Sequence, residues 1–171
     1  SKSLVEQFND VKEVLAKKWP NAKYIAYFQA RTNTYAPLLV LKEKYESVLG
    51  IDNVIGLDIA TRCDAISDDT LDYLEELSKR TFLTIELGLQ TTKEETSILI
   101  NRGHTLKEFD DMVKKLRDRN INVVVHIING LPYENEDDML NTVRHLNKLD
   151  IQGIKIHMLN IVKDTPLEVL Y

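Results

Sequence analysis

Glu86-Leu-Gly-Leu-Gln90-Thr91, Asn101-Arg102-Gly103-His104 and His126-Ile-Ile-Asn-Gly130-Leu131-Pro132 follow one another along this chain. Each sets polar groups and a glycine at the end of an apolar run that reads as a parallel strand, or at the turn after the next helix. In folds built on parallel strands, ligands bind at the carboxyl ends of the strands. Three such signals in succession therefore point to one ligand-binding rim.

Working outward, apolar residues at helical spacing over 3–18 (Leu4, Phe8, Val11, Val14, Leu15) predict a first helix, ended by Pro20-Asn21. Strand-type runs are expected over 23–29, 53–60, 81–89, 121–128 and 154–160, and helices over 36–48, 67–79 and 135–149. Thr92 opens a short helix toward Asn101. Thr105-Leu-Lys-Glu108 has the form of a capping box for another, to about Arg119. Ser67, followed by Asp68 and Asp69, suits a helix N-cap. The resulting order, αβαβαβααβαβ, is that of consecutive βα units around a parallel sheet. Five strands fall short of an eight-stranded barrel, which takes about 250 residues. The pattern allows an open doubly wound sheet or part of a barrel.

The 171 residues, 43% hydrophobic and 29% charged, suit one soluble domain with a substantial core. The net charge of −5 gives no basic footprint for nucleic acid. No apolar run approaches the roughly 18 residues that span a bilayer. The opening residues are an amphipathic helix and not a signal peptide, so a cytoplasmic protein is expected. The single cysteine, Cys63, permits no thiolate cluster within the chain.

Candidate polar residues each carry two readings. The loop Gln29 to Tyr35 either meets a ligand or caps the next helix. Arg62 either binds an anion through its planar fork or pairs with Asp58 or Asp64. Cys63 is either a reactive thiol or, as for most lone cysteines, a small apolar filler. Glu86, Gly88 and Gln90 alternate onto one strand face, where a buried carboxylate needs a ligand or a neighbouring strand as partner. His126 is a core histidine or a ligand contact. Lys155 and His157 share a face that meets the rim or solvent. No dinucleotide fingerprint, phosphate loop, nucleophile elbow or zinc spacing is present.

Taken together in order, Tyr27-Phe-Gln-Ala-Arg-Thr-Asn-Thr-Tyr-Ala-Pro37, Ile59-Ala-Thr-Arg-Cys-Asp64, Glu86 to Thr91, Ile100 to His104, His126 to Pro132 and Gly153-Ile-Lys-Ile-His-Met-Leu159 resemble the radical SAM superfamily. The likeness runs over about residues 23–171. It is nearest to a bacterial subgroup related to the Elongator catalytic subunit and the oxygen-independent coproporphyrinogen oxidases. The resemblance implies an α/β, parallel-stranded partial TIM-type barrel, here five strands of a truncated (βα)6 barrel. It implies S-adenosylmethionine across the strand ends, a [4Fe–4S] cluster, an external reductant and an unknown substrate. By position it implies that Gln29, Thr32, Asn33 and Thr34 stand near the methionine amino group, and that Gln90 meets the ribose or methionine part. It implies that Arg102 pairs with the methionine carboxylate, and that His126 stands where some relatives contact ribose with an acid. Gly130 and Leu131 match the turn beside adenine. Ala60 stands where several relatives carry glutamate, and Cys63 where the related pattern has proline.

The family's cysteine triad follows its first strand, and residues 1–171 contain no such loop. The expectation is a partial radical SAM core whose first strand and cluster loop lie upstream, inactive on its own. Self-association through exposed sheet edges is expected of such a segment. Two other readings stay open. One is a non-catalytic binding domain on a barrel-like sheet. The other is a Schiff-base enzyme using Lys155, which needs a depressed lysine pKa.

Overall fold

The computed structural model describes residues 2–170. The elements are α1 (Leu4–Ala16), β1 (Tyr24–Phe28), α2 (Leu38–Leu49), β2 (Val54–Thr61), α3 (Asp68–Ser78), β3 (Phe82–Gln90), α4 (Glu94–Leu99), α5 (Leu106–Arg117), β4 (Asn122–Asn129), α6 (Glu136–Leu146) and β5 (Gly153–Met158). Short 3-10 turns occupy Cys63–Ala65 and Glu168–Leu170. This is the expected order. Boundaries move by a few residues. The helix expected from Thr92 begins at Glu94, because the Thr92 amide donates to Thr142 Oγ1 and Thr91 Oγ1 accepts from the Lys93 amide.

Capping boxes start three helices: Ser3 with Glu6, Thr105 with Glu108, and Asn135 with Asp138. Each satisfies two amide donors that the first turn leaves unpaired. Ser67 is the N-cap of α3, but its hydroxyl bonds the side chains of Asp69 and Thr70 and not a helix amide. In α5, Phe109, Met112, Val113 and Leu116 are buried at the spacing of one helix face.

All strands are parallel, in the order β1-β2-β3-β4-β5. A doubly wound sheet needs a reversal of strand order, so the structure decides for the barrel segment. The two faces of the sheet differ. Leu57, Ile59, Leu83, Ile85, Leu87, Leu89, Val123, Val125 and Ile127 are buried in one core with the helices. The opposite, concave face carries Tyr27, Asp58, Glu86, Gly88, His126 and Lys155; the register sets Tyr27 beside Asp58, and Gly88, His126 and Lys155 in one row. Its curvature is visible in one contact. Lys155 Nζ of β5 lies 4.4 Å from the ring centre of Tyr27 of β1. In a flat sheet these edge strands would be about 19 Å apart, four spacings of about 4.8 Å. The sheet is thus a curled half-barrel. No helix among the described residues is long and apolar enough to cross a membrane.

Gly56 fixes the approach of β2 to β3. A Cβ there would lie 2.5 Å from the Phe82 carbonyl oxygen and 2.8 Å from Phe82 Cβ. Neither atom can yield without parting the strands. Gly56→Ala is expected to destabilise the fold by about 1–3 kcal/mol, read as a lower urea midpoint. An unchanged midpoint would contradict this packing.

Candidate functional site at the carboxyl rim and concave face

Two adjoining regions hold the functional groups. The first is a cleft of ≈ 400 Å³ at the carboxyl ends of β2, β3 and β4, lined by Thr32, Arg62, Gly88, Gln90 and Arg102 among others. The second is the polar wall of the concave face below it.

Gln90 dominates the cleft. Strand β3 bulges between Gly88 and Gln90, so Gly88 pairs with His126 but Gln90 with Ile127. Gln90 has a φ of 67°, in the region L-residues rarely adopt. Bulge and backbone together turn its side chain back over Gly88, where a Cβ would meet Gln90 Nε2 at 2.9 Å. Its Oε1 is buried and has no hydrogen-bond partner. A buried amide oxygen left unpaired is unusual and calls for a ligand or a role.

Arg102 is buried and engaged. Its Nε donates to the His104 carbonyl at 2.9 Å, and its Nη1 to the carbonyls of Thr91 (2.6 Å) and Leu89 (3.3 Å). Its Nη2 is 3.5 Å from Glu94 Oε1. The guanidinium therefore caps the carbonyls at the end of β3. Asn33 has a similar place in the first loop. Its Nδ2 donates to the carbonyls of Ala60 (2.9 Å) and Phe28 (3.1 Å), tying the loop to β2. Thr34 Oγ1 donates to the Ala65 carbonyl at 2.6 Å and also meets Thr61 Oγ1. Gln29 is exposed, whereas Thr32 lines the cleft. Gly130 (φ 84°) turns the chain after β4, and Leu131 behind it is buried. Arg62 clamps Asp64 through two bonds, Nε to Oδ1 at 2.9 Å and Nη2 to Oδ2 at 2.6 Å, which is the ion-pair reading of that residue.

Cys63 is 3% exposed, and burial pushes its thiol up to about 12. It is a filler, not a nucleophile. Among the described residues, no group of three or more His, Cys, Asp or Glu side chains is arranged to hold a metal ion.

The concave wall centres on Glu86, 2% exposed. Lys155 Nζ reaches Glu86 Oε1 at 2.5 Å and His126 Nε2 reaches Oε2 at 2.8 Å. Burial alone would raise the Glu86 pKa. The bonds from Lys155, Tyr27 and His126 outweigh it and hold the carboxyl below its ordinary value. Burial holds His126 below its ordinary value, against the pull of Glu86. Desolvation opposes the charge on Lys155, yet Glu86 raises its pKa. A protonated, paired Lys155 is the opposite of what Schiff-base chemistry requires. Asp58, beside this group, is raised by burial and keeps one buried carboxylate oxygen unpartnered. Sequence reasoning missed this assembly, although Glu86, His126, Lys155 and His157 were each visible as polar breaks in apolar strands.

The sequence model of the Radical SAM superfamily matches residues 2–146. The chain is 54% identical over 164 residues to the YtqA protein of Bacillus subtilis, covering 96% of this chain and 51% of that protein. It is 38% identical over 142 residues to the YhcC protein of Escherichia coli, covering 82% of this chain and 46% of that one. The chain thus spans about half the length of these curated relatives. Among solved structures, the archaeal Elp3 of Methanocaldococcus infernus aligns with a TM-score of 0.77 at 17% identity, over 98% of this chain and 46% of that one. The coproporphyrinogen III oxidase HemN of Escherichia coli aligns at 0.65 and 17% identity, over 81% of this chain and 32% of that one. The chain belongs to the radical SAM superfamily, whose members use S-adenosylmethionine and a [4Fe–4S] cluster.

Two outcomes are expected. Arg102→Met removes the donors to three backbone carbonyls and should cost about 3 kcal/mol or more in chemical denaturation; a loss below about 1 kcal/mol would show that water replaces the guanidinium freely. The second concerns acid. Glu86 has a folded pKa below its unfolded value, so its stabilisation is present above about pH 4.5 and fades as pH falls through the folded pKa. Lys155→Met removes a group that lowers that pKa and should move acid unfolding to higher pH, followed by circular dichroism.

Proposed function

We propose that the full-length protein carrying this chain is a radical SAM enzyme that binds S-adenosylmethionine across the carboxyl rim of the half-barrel and cleaves it reductively to begin radical chemistry on a further substrate. The observation that carries the reading is the buried, unpartnered Oε1 of Gln90 in a polar cleft bounded by Gly88. Amino, hydroxyl and adenine donors of S-adenosylmethionine suit an amide oxygen that the protein leaves unbonded. Thr32 lines the same cleft, and Gly130 and Leu131 form the turn after β4 that the family resemblance sets beside adenine. The residues of this rim fit that cofactor.

The iron–sulfur cluster is a different matter. Its thiolates are not among these residues, since Cys63 is alone and buried. The cysteine loop must come from another part of the full-length protein, and the chain by itself is expected to be inactive. When bound, the cluster supplies the electron for cleavage of the cofactor. This chain's own residues bind and orient. Gln90 accepts hydrogen bonds from the cofactor. Arg102, whose Nε and Nη1 donate to backbone carbonyls, holds the end of β3 so that Gln90 keeps its strained backbone. Asn33 and Thr34 fix the loop that carries Thr32.

The test uses the full-length protein, reconstituted anaerobically with iron and sulfide and reduced. We expect 5′-deoxyadenosine to form from S-adenosylmethionine. Gln90→Leu is expected to weaken cofactor binding about 10-fold or more, the equivalent of one lost hydrogen bond in a buried site. A loaded cluster that never cleaves the cofactor would end the enzyme reading. Cleavage and binding unaffected by Gln90→Leu would remove Gln90 from the site.

A further inference from the structure

The wall around Glu86 has a direction, and it leads to His157. Glu86 is ionised and can only accept hydrogen bonds. His126 Nε2, 2.8 Å from Glu86 Oε2, must therefore carry the proton of that bond. His126 is neutral near pH 7, because burial opposes its charged form. Its Nδ1 is then a bare acceptor. His157 Nε2 lies 3.0 Å from that Nδ1, so His157 must donate from Nε2. One proton position fixes the next, and in a neutral His157 ring, which carries one N–H, Nδ1 is the nitrogen left as acceptor. It has no hydrogen-bond partner among the described residues.

The two rings stack with centres 4.9 Å apart at 28°, which holds His157 in place on an otherwise open strand. His157 sits opposite Ile128, one side-chain layer nearer the carboxyl rim than the His126–Lys155 pair. It therefore stands at the carboxyl-end side of the polar wall, on the strand next to the one that carries His126. The charged and titratable groups facing it and its support are Tyr27 of β1, Asp58 of β2, Glu86 of β3, His126 of β4 and Lys155 of its own strand.

We propose that His157 Nδ1 is a built proton-accepting site of the concave face, for a substrate bearing a hydroxyl or ring N–H, and that Glu86 and His126 are positioning residues that set its tautomer. The ligand's X–H group donates to Nδ1. If transfer completes, the proton rests on His157, the X–H electron pair stays on X, and the new imidazolium is steadied through His126 by the Glu86 carboxylate. No oxidant or further reactant is needed. The proposal adds a substrate-side residue to the radical SAM reading and rests on it only in taking the occupant of this face as that enzyme's substrate.

Its test does not use cofactor cleavage, so failure of one reading is distinct from failure of the other. In the protein labelled with 15N-histidine, two-bond 1H–15N spectra above neutral pH report which ring nitrogen is protonated. We expect single, fixed Nε2–H tautomers for both His126 and His157. Phenol should shift the His157 Nδ1 resonance, whereas anisole, the same ring without the hydroxyl proton, should not. The paired change Glu86→Met with Lys155→Met removes both charges together, which buried pairs tolerate. It should abolish the fixed tautomer of His126. Should that variant fail to fold, the wild-type spectra still decide. His157 protonated at Nδ1, tautomers that average in the wild type, or equal responses to phenol and anisole would each overturn the proposal.

Discussion

A carboxylate that is 2% exposed in the wall of a central strand cannot remain alone, and the concave half of the molecule is arranged around that requirement. Glu86 draws a lysine from β5, a histidine from β4 and the phenol of Tyr27 from β1. Its partners therefore come from both edges of the sheet as well as from its neighbour. Buried ion pairs add little net stability compared with apolar packing. What this one adds is geometric. Lys155 over the Tyr27 ring joins strands that a flat sheet would keep apart. The same carboxylate that is costly to bury therefore goes with the curvature that makes a cleft possible.

The rim shows a complementary economy. Strand ends leave carbonyls with no ladder partner, and here Arg102 and Asn33 satisfy several at once. Among the described residues that line the cleft, the buried side-chain atom left unpaired belongs to Gln90. Strain falls at the same place, where a bulge and a left-handed φ coincide at the last residue of β3. Functional sites are where such strain persists, because the surrounding structure holds it.

Much of the fold was legible in the sequence. The alternation of strand and helix runs, the capping box at Thr105 and the break at Pro20 are local signals, and the element order follows from them. The choice between a doubly wound sheet and a barrel segment was not legible, because strand order is a matter of which strands meet and not of period. The site divides in the same way. Gln90 and Gly88 announce themselves as polar and small residues at the end of an apolar run. Arg102 reads as an anion-binding arginine, and nothing local announces that its Nε and Nη1 hold three backbone carbonyls. Two partners of Glu86, His126 and Lys155, lie 40 and 69 residues away in sequence, and only the pairing of β3, β4 and β5 brings them together.

Cys63 has a practical consequence for chemical accounting. It is buried behind the cleft, and its thiol stays protonated far above neutral pH. Alkylating reagents that need a thiolate will pass it by while the fold is intact. In any longer polypeptide that contains these residues, the native thiol titre therefore counts cysteines from elsewhere. The difference between native and denatured titres then includes one sulfhydryl from this segment, an internal standard against which protection of other cysteines by iron can be measured.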